Sequence, residues 1–139
     1  MEQSFDDACV AAVAKKLGRM DDYERFYKRS LFYRNLFDAE TVFFRPKDEN
    51  GAWIDGFDPL SYEQPFFVEG NAWQYMWFVP QDPQGLIDLL GGKKEFLKKL
   101  DENFSLTATS GEVNGNASGF IGQYAHGNEP SHHTVYLYN

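Results

Sequence analysis

Ser4-Phe-Asp-Asp-Ala-Cys-Val-Ala-Ala-Val-Ala-Lys-Lys-Leu17 has the residue spacing of an amphipathic helix. Ser4 is of a type that caps helix N-termini, and the two aspartates after it place negative charge in the first turn, where it is favoured. Gly18 then supplies a C-terminal cap. We therefore predict a helix over residues 4–17 with an apolar buried stripe of Phe5, Ala8, Cys9, Ala12, Val13 and Leu17.

A second helix is predicted from Met20 to Phe37, with a stripe of mainly aromatic residues on one face. Only a few residues link it to the first helix, so the two should pair antiparallel as an αα-hairpin. Further helices are predicted over residues 71–78, 83–90 and 93–103. The last of these carries four lysines, which we assign to a solvated outer face.

Residues 38–68 lack this periodicity and are interpreted as long irregular segments. Within them we expect one short β-hairpin, in which Val42–Pro46 pairs with Trp53–Ile54 across a turn. Residues 105–118 are rich in Gly, Ser, Thr and Asn and are predicted to form a loop. The fold class is therefore all-α, a single domain over residues 1–139 built of helical hairpins with long loops.

The composition excludes several functions. The 139 residues carry a net charge of −8 and no basic stripe, which argues against nucleic acid as a partner. No apolar run is long enough to span a membrane. The single cysteine, Cys9, excludes an internal disulfide and a cysteine-based zinc cluster. Aromatic residues make up 17% of the chain. They suit either a sugar-binding cleft or a large aromatic core.

Polar residues are concentrated in the last stretch, Gly119–Asn139, which holds all 3 histidines. Pro130 fits the first turn of a helix, where its missing N–H is not needed. We therefore predict that Asn128 is an N-cap and that residues 130–138 are helical. Gln123, Asn128 and Glu129 then lie on a loop at a helix N-terminus, a common position for a polar site.

Three interpretations of this cluster stay open. Glu129 and His132 are three residues apart and could face one metal, but helical carboxylate iron sites need a second such motif, which the sequence lacks. Alternatively, the oxygens of Gln123, Asn128 and Glu129 form a hard ligand set suited to calcium. The third interpretation is a hydrogen-bonded polar loop without a metal.

Glu69 is the other carboxylate of interest, because it lies at the mouth of the predicted 71–78 helix among apolar residues. Desolvation of a carboxyl group favours its neutral form, which can donate a proton as a general acid. The alternative is that the Glu69 carboxylate accepts hydrogen bonds from backbone N–H groups or pairs with Arg45.

Several strings resemble glycoside hydrolase family 92, a family of calcium-dependent, inverting exo-α-mannosidases: Lys28–Ser30, Phe44–Pro46, Glu69–Tyr75, Gly91–Phe96 and His126–His133. Their order and spacing match across essentially the whole chain. The resemblance implies that residues 1–139 are an internal piece of the family's catalytic (α/α)6 barrel, or toroid. Such a piece lacks the N-terminal β-sandwich and the C-terminal end of the barrel.

The resemblance also assigns roles. Glu69 matches the glutamate that protonates the leaving oxygen, while Gln123, Asn128 and Glu129 match the region that binds calcium. Trp73 and His126 match residues that line the substrate site. The implied substrate is a mannose-containing glycan, hydrolysed at terminal α-linked and specifically α-1,2-linked mannose.

Two departures from the family pattern matter. Gln81 stands where the family usually has histidine, and the general base of the family lies beyond residue 139. An inverting hydrolase needs two carboxyl groups, so we expect this fragment to be inactive alone. The alternative function is a non-catalytic carbohydrate-binding or interaction module. We also expect self-association through exposed barrel edges, and a periplasmic or secreted parent protein.

Overall fold

A computed structural model describes residues 1–113, 115 and 117–139 of the chain. Its α-helices are α1 (Glu2–Lys16), α2 (Met20–Ser30), α3 (Ala72–Tyr75), α4 (Pro83–Leu89) and α5 (Lys93–Ser105). Short 3-10 helices follow α2 at Phe32–Leu36 and lie near the end of the chain at Glu129–Ser131 and Thr134–Tyr138. Residues 114 and 116, which belong to the predicted loop 105–118, lie outside the described residues.

The predicted hairpin of α1 and α2 is confirmed, and Gly18 ends α1 as expected. Gly18 has a φ of +72°, in the left-handed region that favours glycine. Its N–H donates to the Lys15 carbonyl at 3.1 Å, and the next N–H donates to the Ala14 carbonyl at 2.9 Å. These two bonds form a Schellman cap, which turns the chain toward α2.

The buried face of α1 differs from the predicted apolar stripe. It consists of Ser4, Asp7, Ala11 and Ala14, and Ser4 lies inside the helix instead of capping it. Asp7 is 4% exposed and pairs with Arg29 of α2 through a 3.1 Å contact between Oδ2 and Nε. The small alanines let the helices approach, and the ion pair draws this face of α1 toward α2.

The apolar residues of α1 are correspondingly left on its outer face. Val10, Val13 and Leu17 are 44%, 59% and 70% exposed, and Cys9 is exposed as well. Together with Phe26 of α2 they line a shallow groove of about 400 Å³. We call this surface, formed by Cys9, Val10, Val13, Leu17 and Phe26, the α1 groove.

The predicted second helix is shorter than expected, because the chain tightens into a 3-10 helix after Ser30. This turn buries Tyr33 completely and carries its hydroxyl group to Asp82, the N-cap of α4, at 2.7 Å. Arg34 donates to the same Asp82 oxygen at 2.8 Å, while the other Asp82 oxygen accepts the Gly85 N–H at 2.9 Å. Burial raises the pKa of the Asp82 carboxyl group, but hydrogen bonds from Arg34, Tyr33 and the Gly85 N–H hold it below its usual range.

The β structure is also rearranged relative to the prediction. Strand β2 (Phe43–Phe44) pairs antiparallel with β1 (Phe37–Asp38). The predicted pairing with Trp53–Ile54 is reduced to an isolated bridge between Lys47 and Trp53 and a hydrogen bond from the Ile54 N–H to the Pro46 carbonyl at 3.2 Å. A second antiparallel pair, β3 (Phe120–Ile121) with β4 (Tyr124–Ala125), was not predicted. Both pairs are two residues long, too short for an alternating pattern to reveal them.

Aromatic side chains fill the core between β2, α3, α4 and α5. Phe43 packs edge-on against Trp73 with ring centroids 5.0 Å apart, and Trp77 packs against Phe96 at 5.6 Å. Helix α3 is shorter than the predicted 71–78 helix, and all four of its residues are buried. The fold is therefore rich in helices with a few short strands, as predicted in outline.

The end of the chain turns more tightly than the predicted 130–138 helix. Residues 129–131 and 134–138 are separate 3-10 helices, with His132 and His133 between them. Asn128 precedes the first, but its side chain does not cap it. Across the residues that the structure describes, no helix has the length and apolar character needed to cross a membrane.

The α1 groove leads to a prediction about association. Because it exposes apolar side chains together, we expect the apparent mass of the chain in sedimentation experiments to rise with concentration. Replacing both Val13 and Leu17 by lysine should shift the chain to a monomer. Val113→Lys, at an exposed loop position, is the control and should have no effect. A concentration-independent monomer mass for the unchanged chain would contradict the prediction.

Candidate active site

Helix α3 begins with a capping box that fixes the segment carrying Glu69. The Asn71 side-chain oxygen accepts the Gln74 N–H at 3.2 Å, and the Gln74 side-chain oxygen accepts the Asn71 N–H at 3.2 Å. Two N–H groups of the first turn are thereby satisfied by reciprocal bonds. Asn71 is 0% exposed and Gln74 is 6% exposed. The start of this helix is therefore defined by buried hydrogen bonds.

Glu69 lies two residues before this cap and is exposed. Its φ of +57° is in the left-handed region, which costs a non-glycine residue free energy and marks functional sites more often than other positions. Gly70 next to it has no room for a side chain, because a Cβ there would lie 2.6 Å from the Gln74 side-chain oxygen. The Tyr75 hydroxyl group accepts the Val68 N–H at 3.2 Å, which holds the other side of Glu69.

Gln123, predicted as a calcium ligand, is 1% exposed and makes a dense set of hydrogen bonds. Its side-chain oxygen accepts from Asn71 Nδ2 at 3.0 Å. Its Nε2 donates to the carbonyl groups of Leu106 at 3.0 Å and Ala108 at 2.5 Å. The side chain of Gln123 therefore joins three segments that are distant in sequence.

Asn128 connects the two predicted parts of the site. Its Nδ2 donates to the backbone carbonyl of Glu69 at 3.3 Å, and the side chain is 5% exposed. Glu129 is the next residue and is exposed. The segment of the predicted acid and the segment of the predicted calcium ligands therefore lie side by side.

The histidines lie near the same segments. His126 is exposed, and its Nδ1 is 2.7 Å from the hydroxyl group of Tyr124. The ring of His132 stacks on that of His126 with centroids 5.1 Å apart. His132 Nε2 is 2.9 Å from the His126 carbonyl, which can only accept, so this nitrogen carries the proton. His126 is thus accessible to a ligand, as its predicted role requires.

Trp73 occupies a different environment from the one expected of a residue that lines a cleft. It is 7% exposed and belongs to the aromatic core. One lysine of α5 that was assigned to the solvated face lies above this core instead. Lys99 Nζ is 3.7 Å from the ring centroid of Phe43 and 4.4 Å from that of Trp73. A role for Trp73 in substrate binding stays a prediction.

The donor set of the site consists mainly of oxygen atoms. Within residues 1–113, 115 and 117–139, no three histidine, cysteine, aspartate or glutamate side chains come together as a metal cluster. The Glu129 carboxylate and the Asn128 amide oxygen are hard donors of the kind that calcium prefers. They could supply part of a calcium shell, whose other positions would be filled by water or sugar hydroxyl groups.

Residues 1–139 match the family model for the glycosyl hydrolase family 92 catalytic domain. The chain belongs to glycosyl hydrolase family 92. A family GH92 α-mannosidase of Bacteroides thetaiotaomicron in complex with mannoimidazole matches 97% of this chain at 44% identity, with a TM-score of 0.87. A family GH92 inverting mannosidase of the same organism matches 97% of the chain at 37% identity, with a TM-score of 0.80.

The family 92 relatives are much longer than this chain. It covers 19% of each of those two structures. An uncharacterized secreted glycosidase of Arthroderma benhamiae is 32% identical in an alignment of 123 residues, and the match covers 73% of this chain and 16% of that protein. The chain therefore corresponds to a fifth or less of the length of these relatives.

Sequence reasoning missed the polar residues that support the site of this family 92 chain. Asn71, Gln74 and Tyr62 form one hydrogen-bonded network, in which Gln74 Nε2 donates to the Tyr62 hydroxyl group at 2.7 Å. The pattern Asn71-x-x-Gln74 is a capping-box signal and could have identified two of them. The bond to Gln123 spans 52 residues, and no local pattern indicates it.

Lys99 leads to a prediction about pH. Burial lowers the pKa of its ammonium group from 10.5 to about 8, although the charge of Glu102 partly opposes this. At a pH between these two pKa values, Lys99 is protonated in the unfolded chain and mostly neutral in the folded chain. The unfolded chain therefore binds more protons, and folding stability should rise with pH. Lys99→Met should remove this rise and increase the free energy of unfolding at pH 7 by about 1–2 kcal/mol.

Urea unfolding between pH 7.5 and 9.5 measures this effect. Lys94→Met is the matched control, since Lys94 is exposed on the same helix. An equal slope with pH in the Lys99→Met variant and the unchanged chain would contradict the assignment.

Proposed function

We propose that this chain is the part of a longer family 92 α-mannosidase that supplies the general acid, Glu69, and two calcium ligands, Asn128 and Glu129. The proposal rests mainly on one observation. Asn128 Nδ2 donates to the Glu69 carbonyl at 3.3 Å, so the two segments meet at one surface. Family membership and the α-mannosidases among the solved relatives support the reaction type.

The proposed reaction is hydrolysis of terminal α-linked mannose, with α-1,2 linkages preferred, and with inversion. Glu69 would donate its proton to the glycosidic oxygen as the bond to the sugar breaks. An inverting enzyme also needs a second carboxylate to activate water from the opposite face of the ring. We assign that base to the part of the catalytic domain outside these 139 residues.

Calcium would supply a hard positive charge that binds sugar hydroxyl groups. Asn128 and Glu129 would hold it through side-chain oxygens, with His126 exposed beside them to contact the sugar. Gln123, the third predicted ligand, already accepts from Asn71 through its side-chain oxygen. We therefore leave it out of the proposed set and assign it the role argued below.

The rest of the proposal concerns the parent protein. The helical hairpins would form part of an (α/α)6 barrel, completed by helices outside these residues. In that setting the α1 groove would be covered by protein. A periplasmic or secreted location is proposed from the secreted relative.

Calcium titration by calorimetry tests the ligand assignment on the chain itself. We expect binding that Glu129→Gln weakens by about tenfold or more, since a charged oxygen ligand is lost. Glu24→Gln is the matched control, because Glu24 is exposed on α2. No binding by the unchanged chain, or equal loss in both variants, would count against these ligands.

A hybrid enzyme tests the catalytic role. Residues 1–139 would replace the matching segment of the Bacteroides α-mannosidase, which is 44% identical. We expect the hybrid to hydrolyse α-mannosides with inversion, and Glu69→Gln to lower kcat by about 10²–10⁴-fold, the usual contribution of general acid catalysis. The chain alone should show no turnover.

Other results of this experiment would favour a different function. Glu40→Gln, at another exposed position, is the control for Glu69→Gln. Unchanged kcat in the Glu69→Gln hybrid would exclude the acid role. Mannose binding that survives both calcium removal and Glu69→Gln would indicate a carbohydrate-binding module instead.

A further inference from the structure

A pair of buried amides lies beneath the proposed site. Asn71 is 0% exposed and Gln123 is 1% exposed, and Asn71 Nδ2 donates to Gln123 Oε1 at 3.0 Å. Residues 71 and 123 are 52 positions apart in the sequence. This bond therefore fixes the relation between two distant segments of the chain.

The orientation of both amides follows from their other partners. Gln123 Nε2 faces the carbonyl oxygens of Leu106 and Ala108, which only accept hydrogen bonds, so its oxygen must point to Asn71. Asn71 Oδ1 accepts the Gln74 N–H, so its nitrogen must point to Gln123. Each amide therefore has one orientation that satisfies all of its bonds.

The network continues through Gln74. Its Nε2 lies 3.2 Å from the backbone carbonyl of Gln123 and also donates to Tyr62. The Gln123 N–H donates to the Asn103 carbonyl of α5 at 2.7 Å. Gln123 is thus held by α3, by α5 and by the chain after α5.

Glu69 lies two residues before Asn71, and Glu129 lies six residues after Gln123. We infer that Asn71 and Gln123 are positioning residues, whose side-chain hydrogen bond sets the Glu69 segment against the Glu129 segment. This inference rests on the proposed function. A shift of about 1 Å between reacting groups can cost a hundredfold in rate, so such a link matters for catalysis.

Asn71→Asp breaks this link and also removes the longer donation from Asn71 Nδ2 to the Leu60 carbonyl at 3.5 Å. Aspartate caps a helix as well as asparagine does, so the bond to the Gln74 N–H is kept. The donor to Gln123 is lost, and a carboxylate oxygen faces the Gln123 oxygen instead. Gln123→Glu breaks the same link from the other side, and also removes the donors to Leu106 and Ala108.

Tyr33→Phe is the control for a purely structural effect. It removes the hydrogen bond to Asp82 at the start of α4, whereas the amide pair lies at the start of α3. Tyr33→Phe should lower the melting temperature by a few degrees, as expected when one hydrogen bond is lost, and Asn71→Asp should lower it further, because a carboxyl group is then buried against the Gln123 oxygen.

Amide hydrogen exchange on the 139-residue chain tests the link directly. We expect exchange at residues 68–71 and 123–129 to speed up by about tenfold in Asn71→Asp and Gln123→Glu, because the two segments open locally. Tyr33→Phe should leave these residues unchanged. Unchanged exchange there in Asn71→Asp would overturn the inference.

Kinetics of the hybrid enzyme test the consequence. Asn71→Asp should lower kcat by about tenfold or more while KM changes by less than about threefold, since the acid is misplaced relative to the bound sugar. Tyr33→Phe should keep kcat within about twofold. Equal kcat in the two variants would overturn the positioning role. If the unmodified hybrid has no activity, that result counts against the proposed function. Amide hydrogen exchange on the 139-residue chain then decides the inference.

Discussion

The hydrogen bond between Asn71 and Gln123 is the interaction on which the site depends. Both side chains are buried, and an amide that loses its partner there costs about 1–3 kcal/mol. Because both side chains are excluded from solvent, the bond is either made with good geometry or leaves several polar groups unpaired. The loops that carry Glu69 and Glu129 have little regular secondary structure to fix them. Their relative position comes from this buried pair and from the Asn128 bond to the Glu69 carbonyl.

The same principle operates elsewhere in the chain. Polar groups join helices in the interior, while some apolar groups stay outside. Asp7 draws α1 toward Arg29 of α2, and Asp82 gathers Tyr33, Arg34 and the start of α4. The α1 groove is left exposed as a result. For a chain that covers 19% of its solved relatives, such a surface is consistent with contact to further protein.

Local signals in the sequence were reliable only in part, since Ser4 lies inside α1 and the Asn128 side chain does not cap the helix after it. Gly18, Asp82 and Asn71 each lie at a helix end, and each acts through neighbours within a few residues. The buried face of α1 could not be predicted in this way, because Asp7 is buried by a partner 22 residues away. Apolar spacing alone selected the wrong stripe. The two-residue strands and the 3-10 helices are similarly too short for periodicity to show.

The site was predicted in part for the same reason. Glu69, Asn128 and Glu129 were predicted by resemblance and by residue type; the Asn128 bond to the Glu69 carbonyl brings their segments together, and their roles stay predictions. Like a calcium ligand, Gln123 offers an amide oxygen on a polar loop. What distinguishes it is burial and a partner 52 residues away, which residue type does not encode. Trp73 is a parallel case, since its ring meets Phe43 and Lys99 in the core and not an open cleft.

Gln123 and Trp73 show how the segment that carries Glu69 is held in place. Helix α3 directs Asn71 toward Gln123 and Trp73 toward the aromatic core, where the Lys99 ammonium group of α5 lies over its ring. A cation held over aromatic rings is attracted to their faces, although burial opposes its charge. The short helix is thus fixed by hydrogen bonds on one side and by ring packing on the other. Glu69 stands at its start in a left-handed conformation, which persists only where the surroundings determine it this strongly.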